Sequence, residues 1–217
     1  MDEHDAVEIL RYANQLKRTA RTGWVQRGVA EAEDVAAHSY GVVFATLLLA
    51  RLVEDAIDLG RALALAVLHD LPEALTTDIP SPAWRLLPAG LKAGVERSAI
   101  ETMLGSAPFA GEWLAWHDEL TLNESPEARL VHDADKIDLF VQALIYEEQS
   151  SNSHLQEFWN VEHAFHYPVA QAIYEALVGQ RGGGRQNRAE RLRDDGCLPP
   201  GCPRRDGEGA GAARPVV

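Results

Sequence analysis

The sequence predicts an all-α domain over residues 1–178, followed by a disordered tail over residues 179–217. Apolar residues recur through the first part at spacings of three and four, the period of an amphipathic helix, and no stretch alternates polar and apolar residues as a strand would. After Gly179 the composition changes to glycine, proline and arginine with few large apolar residues. Such a segment buries too little apolar surface to offset the entropy of ordering, so we expect disorder there.

The helical period divides the predicted domain into seven segments. Asp34 is positioned to cap the second segment, and Pro126 falls in the first turn of the sixth, where a missing N–H leaves no hydrogen bond unmade. Prolines mark several of the connections between segments. The segments cover residues 5–19, 34–54, 61–75, 91–104, 110–120, 127–149 and 165–178.

The acidic charge of the predicted domain disfavours two classes of partner. The chain has a net charge of −13 at pH 7, and the tail holds eight arginines against five acidic residues, which leaves about −16 on the domain. We therefore expect neither a nucleic-acid polymer nor an anionic membrane surface as a partner. The longest apolar runs, such as VVFATLLLA, are too short to span a bilayer.

The cysteines and the first residues bear on the cellular compartment. Cys197 and Cys202 both lie in the tail, so a disulfide-stabilised secreted fold is disfavoured. The opening stretch MDEHDAVEIL lacks the basic and apolar regions of a secretion signal. We therefore expect a reducing, cytoplasmic compartment. The C-x4-C spacing has no second pair and no nearby histidine, so it is a weak pattern for zinc.

Three polar side chains occupy positions where helical spacing predicts burial. His38 shares an apolar helix face with Val35 and Val42, and His69 and Asp70 follow the apolar run RALALAVL. A buried aspartate without a partner is strongly unfavourable, so Asp70 should be paired or bound to a metal. Two histidines and a carboxylate can form a divalent-metal site, or a buried His–Asp ion pair can tie two helices together. Helical spacing leaves both interpretations open.

Two more carboxylates follow the His-Asp pair. Glu73 is four residues after His69 and three after Asp70, so it can share their helix face. Beside a bound metal it would act as a general acid or base; the alternative is a solvated carboxylate on the last turn. Pro72 predicts a disturbed helix end, after which Asp78 either faces the same cavity or caps a turn.

Two other segments offer candidate ligands. In residues 127–149, periodicity places Asp138 nearest the centre of the apolar stripe and Asp135 on its flank, and so favours Asp138. A second His-Asp pair, His117 and Asp118, lacks a long apolar lead-in and precedes a polar stretch. We therefore expect this second pair at a partly exposed helix end.

A basic segment, KRTARTGWVQR, precedes the first histidine of the pattern. It holds four basic residues and no acidic one. The guanidinium fork of Arg21 suits a phosphate group, and Trp24 could stack on a base or a sugar. The segment is therefore a candidate clamp for phosphate and nucleoside, with a solvated basic helix end as the alternative.

The order of these residues resembles that of the HD-domain metal-dependent phosphohydrolases. An early histidine, a later His-Asp pair and a distal aspartate follow one another as they do in that family. The longer motifs RTGWVQRGV with EDVAAHS, HDLPEALTTDIPSP and ARLVHDADKIDLFVQALIYE resemble the 5′-deoxynucleotidase branch from about residue 8 to residue 178. The resemblance implies an HD-domain helical bundle, commonly a homodimer, with one divalent metal ion. The implied ligands are His38, His69, Asp70 and Asp135.

The resemblance also implies roles for the other candidates. Glu73 would be the general acid or base, and Asp78 would help to position water or the sugar. Arg21 and Trp24 lie in the region that receives phosphate and deoxyribose. The branch usually has glycine where this chain has Thr77.

The function implied is that of a metal-dependent phosphomonoesterase, which hydrolyses 5′-(deoxy)ribonucleoside monophosphates to nucleoside and phosphate. A bound divalent ion with open coordination positions, Mn²⁺, Co²⁺, Fe²⁺ or Mg²⁺, would polarise the phosphate and lower the pKa of water. Two alternatives stay open. One is an HD phosphohydrolase acting on another phosphate ester, such as a deoxynucleoside triphosphate or a specialised nucleotide or sugar phosphate. The other is a catalytically inactive HD domain that binds nucleotides.

Overall fold

The computed structural model describes residues 2–194, except for the side chains of residues 81–82 and 182–194. No β-strand forms between residues 2 and 194, where an isolated antiparallel bridge pairs Ala20 with Asp34. The predicted all-α class is therefore confirmed. The helices are α1 (Glu3–Gln15), α2 (Thr22–Val25), α3 (Val35–Leu49), α4 (Leu59–Leu68), α5 (Glu73–Thr76), α6 (Ser81–Trp84), α7 (Leu91–Leu104), α8 (Ala110–Leu122), α9 (Pro126–Gln149), α10 (Gln156–Trp159) and α11 (Pro168–Asp194), with 3-10 turns at Leu16–Arg18 and Ser153–Leu155.

Helices α3 and α9, which face each other across the site, both begin at side-chain caps. The Asp34 carboxylate accepts a hydrogen bond from the N–H of Ala37 at 2.8 Å and caps α3, as predicted. Ser125 caps α9, and Pro126 occupies its first turn, also as predicted. These side chains satisfy N–H groups that have no partner within the helix, which fixes where each helix starts.

The predicted segment 61–75 is two helices rather than one. Helix α4 ends at Leu68, α5 begins at Glu73, and a tight turn joins them. Within that turn the N–H of Glu73 donates to the carbonyl of Asp70 at 3.0 Å. Pro72 explains the interruption, because it has no N–H to donate and its ring crowds the preceding turn. His69 and Asp70 therefore lie in a bend between two helices.

Helices α3, α4 and α9 form the centre of the domain. Helix α3 packs against both of the others, and α4 also packs against α9. Their contact surfaces are apolar and fully buried at Val42, Leu65 and Ala134, among others. A second apolar cluster contains Val35 and Leu68 and extends to α1, α7 and α8. The site described below lies where the two clusters meet, because α3 contributes to both.

An apolar stripe remains exposed on the outer face of α3. Tyr40, Phe44 and Leu48 recur every fourth residue and are 73%, 59% and 49% exposed. Val141 and Ile145 of α9 are also partly exposed. None of the helices between residues 2 and 194 has both the length and the apolar character that crossing a membrane requires. The stripe is thus a surface feature of a domain whose core lies elsewhere.

Helix α11 extends beyond the helix end predicted at residue 178. It continues to Asp194 through RQNRAERLRD, a stretch rich in residues of high helix propensity, which local apolar periodicity does not detect. The compact unit that contains all the candidate site residues ends at Gln180. Residues 195–217, including Cys197 and Cys202, lie outside the described residues. Residues 179–194 are thus helical where disorder was predicted, whereas the division at residue 178 and the disorder of residues 195–217 stay predictions.

Candidate metal centre

His38 lies in the first turn of α3, and its ring is fully buried. Its relative exposure is 0%, and its Nδ1 is 2.7 Å from Oδ2 of Asp138 on α9. This contact leaves Nε2 to face the centre of the site. The histidine predicted from its place on an apolar face is therefore oriented by a carboxylate on the opposite helix.

His69 presents its own Nε2 to the same point. Its Nδ1 is 2.8 Å from the carbonyl oxygen of Ala66 one turn earlier in α4. Because a carbonyl oxygen can only accept, Nδ1 carries a proton, and Nε2 is the nitrogen left to bind a metal ion. The two Nε2 atoms of His38 and His69 lie 3.4 Å apart.

Two carboxylates complete the convergence. Oδ1 of Asp135 is 3.1 Å from Nε2 of His38, and Oδ2 of Asp70 is 3.5 Å from Nε2 of His38 and 3.3 Å from Nε2 of His69. The bend at Pro72 turns Asp70 towards the two rings. The structure thus brings together His38, His69, Asp70 and Asp135.

This donor set fits a divalent metal ion. Ligand atoms at about 2.1 Å from an ion lie about 3.0–3.4 Å from one another in tetrahedral or octahedral geometry. The observed separations of 3.1–3.5 Å match that spacing. His38, His69 and Asp135 also form a group that could hold a metal ion by proximity alone. Carboxylates and imidazoles in this ratio suit a divalent cation.

The electrostatics of the centre favour positive charge. Burial alone would lower the pKa of His38, but hydrogen bonds with Asp135 and Asp138 raise it to about 10. In the same way, contact with His38 holds the pKa of Asp135 at about 2 despite burial. In the metal-free protein at neutral pH, the His38 ring therefore carries a proton on both nitrogens and is positively charged. A metal ion must displace the proton on Nε2 to use the lone pair of that atom.

Asp138, which periodicity favoured as a ligand, contacts the other nitrogen of His38. Helix α9 turns Asp135 and Asp138 to the same histidine, one residue on each side of its ring. Apolar periodicity ranks residues by their distance from the buried stripe and does not detect which edge of a facing imidazole each one meets.

Glu73 lies beside the centre, and its carboxyl group is buried with one oxygen that makes no hydrogen bond within the described residues. The residue is 9% exposed, and the oxygen without a hydrogen-bond partner among the residues that the structure describes is Oε2. Burial, together with the charges of Asp70 and Asp78, raises the pKa of Glu73 to about 9. At neutral pH it is therefore a protonated acid that can donate a proton.

Arg21 binds Asp70 rather than solvent. Its Nη1 donates to Oδ2 of Asp70 at 3.2 Å, and its side chain is 16% exposed. The backbone places it there, because the N–H of Arg21 donates to the carbonyl of Glu33 just before α3. The prediction of a solvated basic helix end does not describe this residue.

Asp78 and Trp24 both support the backbone around α2. Oδ2 of Asp78 accepts from the N–H of Thr22 at 2.6 Å, and its carbonyl accepts from the Thr22 hydroxyl at 2.6 Å. These contacts correspond to the second interpretation of Asp78, in which its carboxylate caps backbone N–H groups instead of facing the cavity. Trp24 is 1% exposed, and its indole N–H donates to Glu33 at 2.9 Å. In this conformation its ring packs inside the domain, and the predicted stacking role stays a prediction.

A cavity of about 370 Å³ opens beside the centre. His69, Asp70 and Asp135 line one side of it, and its volume lies within the usual range for small-molecule sites. His117 also lines the cavity and is 4% exposed. The prediction of a partly exposed helix end was therefore wrong for His117, because α7 packs over α8.

Comparisons with known proteins agree with this arrangement. Residues 13–174 match the family described as "HD domain". The 5′-deoxynucleotidase HDDC2 of Danio rerio is 31% identical over 184 residues, which cover 81% of this chain and 87% of the relative. The protein of the same name from Homo sapiens is 29% identical over 179 residues, with coverage of 81% and 85%. A crystal structure of a Pyrococcus horikoshii OT3 protein has a TM-score of 0.65 at 34% identity, covering 82% of this chain and 99% of that one.

The family match covers most of the chain and includes every residue of the converging set. The order and spacing of the histidines and aspartates, the helical fold and the sequence similarity all point the same way. The chain belongs to the HD domain family.

Proposed function

We propose that the protein hydrolyses 5′-(deoxy)ribonucleoside monophosphates to nucleoside and phosphate with the help of a divalent metal ion. The observation that carries this proposal is the convergence of His38, His69, Asp70 and Asp135, the last three of which line a cavity of about 370 Å³. The substrate class is supported by the name 5′-deoxynucleotidase that similar proteins carry.

One metal ion would be held by His38, His69, Asp70 and Asp135. Four donors leave coordination positions open, which suits Mn²⁺, Co²⁺, Fe²⁺ or Mg²⁺ better than a closed structural zinc site. When bound, such an ion supplies positive charge to the phosphate and lowers the pKa of water. Metal analysis of the purified protein identifies the ion and its stoichiometry.

Glu73 is our candidate for the acid that protonates the leaving 5′ oxygen. Two features of the chain support this role. Burial keeps a proton on its carboxyl group at neutral pH, and its Oε2 has no partner within the described residues. A group in that state loses little by turning its proton towards a substrate oxygen.

Arg21, Asp78 and Trp24 would act on the substrate side of the centre. Arg21 already contacts Asp70, so its guanidinium is held close to the position where a phosphate would lie. Asp78 fixes the N-terminus of α2 through Thr22 and thereby holds Arg21 in place. A direct contact of Asp78 or Trp24 with the sugar requires a movement of α2.

The test is a panel of substrates assayed for released phosphate with each candidate metal added. We expect release from deoxyribonucleoside monophosphates and little release from triphosphates. The His69→Ala variant is the matched control, because it should lose both metal and activity. Absence of phosphate release from every monophosphate with every metal would count against the proposal.

Two alternatives are separated by the same panel and by metal analysis. Preferential hydrolysis of a deoxynucleoside triphosphate or a sugar phosphate would indicate a different HD phosphohydrolase. A protein that binds nucleotides but neither retains metal nor releases phosphate would be an inactive binding domain. The complete donor set argues against inactivity, because loss of function commonly accompanies loss of a ligand.

We also propose a homodimer in a reducing, cytoplasmic compartment. The exposed stripe of Tyr40, Phe44 and Leu48 on α3 supports the first part, since a two-fold contact could pair the stripe with its own copy. The compartment rests on the cysteine content of the chain. Light scattering of wild type and of Phe44→Glu checks the dimer: the wild type should have twice the mass of the variant.

A further inference from the structure

The cavity beside the metal-binding residues has a second wall to which the proposed mechanism gives no role. His69, Asp70 and Asp135 line one side, while the first turn of α7 and His117 of α8 line another. A phosphate ester bound at the metal ligands in this cavity therefore has a second set of protein groups within its reach.

Lys92 supplies the positive charge of this second wall. Among the described residues that line the cavity, it is the one lysine or arginine. Its Nζ is 3.3 Å from Glu96 one turn later, in a pair whose lysine side chain is 54% exposed. The Glu96 side chain is only 17% exposed, but the exposed ammonium is free to swing from Glu96 to a phosphate oxygen. Burial lowers the pKa of Lys92, but the negative charges of Glu96, Asp70 and Glu73 raise it. Since two of these carboxylates lie at the metal centre or beside it, the Lys92 ammonium is within electrostatic range of that centre.

The backbone of α7 adds further donors at the same place. The helix has 14 residues and begins after Gly90, which adopts a φ of 79°. The N–H of Leu91 donates to Pro88, and that of Gly94 donates to Gly90. The N–H groups of the two residues between them have no carbonyl partner among the backbone hydrogen bonds of this turn. Free N–H groups and the helix dipole together favour an anion at this position.

His117 is an independent sign that a ligand belongs at this wall. It is 4% exposed, and neither of its ring nitrogens makes a well-aligned hydrogen bond within the described residues, where its polar contact is the Ala93 carbonyl of α7. Burial lowers the pKa of the ring, with Asp118 and the Ala93 carbonyl acting in the opposite direction, so the ring carries one N–H at neutral pH. Buried imidazoles are normally satisfied on at least one side. A ligand oxygen in the cavity would give the ring N–H a better-aligned acceptor than the Ala93 carbonyl.

We propose that Lys92, the first turn of α7 and His117 form a phosphate-binding wall that holds the phosphate group of the substrate against the metal ligands. This inference deepens the proposed function and rests on it. To the contact that Arg21 offers, the wall adds the positive charge of Lys92 and the neutral N–H donors of the first turn of α7 and of His117. It confines the phosphate between helices α4, α7, α8 and α9, and leaves the nucleoside to extend away from the centre.

The wall is tested by measuring how tightly inorganic phosphate binds to the metal-loaded protein. Titration calorimetry on Lys92→Met should give a dissociation constant raised on the order of tenfold to a hundredfold, the effect of losing one hydrogen bond to a charged group. Lys92→Arg should restore most of the affinity. Arg51→Met is the matched control, because it removes one exposed positive charge two residues after the C-terminal end of α3 and should leave phosphate binding unchanged.

Enzyme kinetics then separate a phosphate contact from a nucleoside contact. In Lys92→Met we expect the KM for a deoxynucleoside monophosphate and the inhibition constant of inorganic phosphate to rise together, while inhibition by the free deoxynucleoside stays constant. A rise in the deoxynucleoside constant with phosphate binding unchanged would overturn the assignment. So would equal losses in Lys92→Met and Arg51→Met.

His117→Leu tests the buried part of the wall. Leucine keeps the apolar contacts of the ring, and the variant should bind phosphate more weakly than wild type with its metal content unchanged. Unchanged phosphate affinity would remove His117 from the wall. Failure of the proposed function is a separate result: it would show as wild-type protein that releases no phosphate from any monophosphate, whereas the phosphate titrations need no turnover.

Discussion

Asp138 lies 2.7 Å from Nδ1 of His38, and Gly41 leaves the space that this contact needs. Gly41 sits one turn after His38 on α3, and a Cβ at that position would be 1.9 Å from Oδ1 of Asp138. The orientation of His38 therefore depends on a carboxylate from α9 and on a missing side chain on α3. Both residues act on the proposed metal centre through His38, without belonging to the proposed donor set.

Removing the Asp138 carboxylate should weaken metal binding while leaving the four donors in place. Partners that orient metal-binding histidines typically contribute about 10–100-fold in affinity. We expect a loss of that size in Asp138→Ala, measured by metal titration of protein stripped with a chelator. A variant that binds metal as tightly as wild type would show that packing alone orients the His38 ring.

Gly41→Ala should have the same effect from the other helix. Alanine normally stabilises a helix interior by about 0.5–1 kcal/mol relative to glycine, but here its Cβ would displace Asp138 from His38. We expect weaker metal binding together with a lower melting temperature. Gly94→Ala on α7 is the control, because a Cβ there meets nothing within 4 Å. That control should keep wild-type metal affinity and be slightly more stable.

Metal-free protein should lose stability as the pH rises above neutrality. Hydrogen bonds with Asp135 and Asp138 raise the pKa of His38 to about 10, against an unfolded value near 6.5. The charged ring therefore contributes stability that is fully present below pH 6.5 and is lost as the pH passes through 10. Melting temperatures of chelator-treated protein from pH 6.5 to 10 should fall, and those of Asp138→Ala should fall less.

Metal binding should show the opposite pH dependence. The ion must displace the proton of His38, so its apparent affinity should rise by up to about tenfold per pH unit between pH 6.5 and 9. Metal titrations at three pH values within that range measure the slope. An affinity that is independent of pH would mean that His38 is already neutral in the metal-free protein.

The fold and the donor set differ in how far the sequence specifies them. The helical period of the apolar residues predicted the all-α class, and Asp34 and Pro126 predicted where α3 and α9 begin. These signals could be read from the sequence because each acts within one or two turns of helix. The same local signals led to Asp138 as a ligand and to an exposed His117. Which edge of His38 each aspartate meets, and which helix covers His117, depend on contacts between distant segments. Among the signals in the sequence, only the family resemblance contains that long-range information.

Trp24 illustrates a second limit of local reasoning. Its place in a basic segment suggested a stacking surface, yet its ring packs against Tyr146 and Phe158, with centroids 5.3 and 4.5 Å away. Those partners are more than a hundred residues distant in the chain. A residue's neighbours in sequence describe its charge environment and leave its packing partners undetermined.

Glu73→Gln should abolish turnover and leave metal binding intact. Glutamine has nearly the shape of the protonated carboxyl group that the raised pKa of about 9 implies, so the fold should be preserved. It has no acidic proton to give, and we expect kcat to fall by about 10²–10⁴-fold. His69→Ala is the contrasting variant, because it should lose metal as well. Unchanged turnover in Glu73→Gln would remove this residue from the mechanism.

The backbone at Thr77 is strained, and glycine should relieve the strain. Thr77 has a φ of 61° and a ψ of 167°, a region that only glycine adopts readily and that costs of the order of 1–3 kcal/mol for other residues. Glycine also costs about 0.5–1 kcal/mol through the entropy of the unfolded chain. We therefore expect Thr77→Gly to raise the free energy of unfolding by about 1 kcal/mol, which is roughly 2–4 °C in melting temperature for a domain of this size. Thr77→Ala keeps the Cβ and should give no such gain; an equal gain in both variants would locate the effect in the threonine side chain rather than in the backbone.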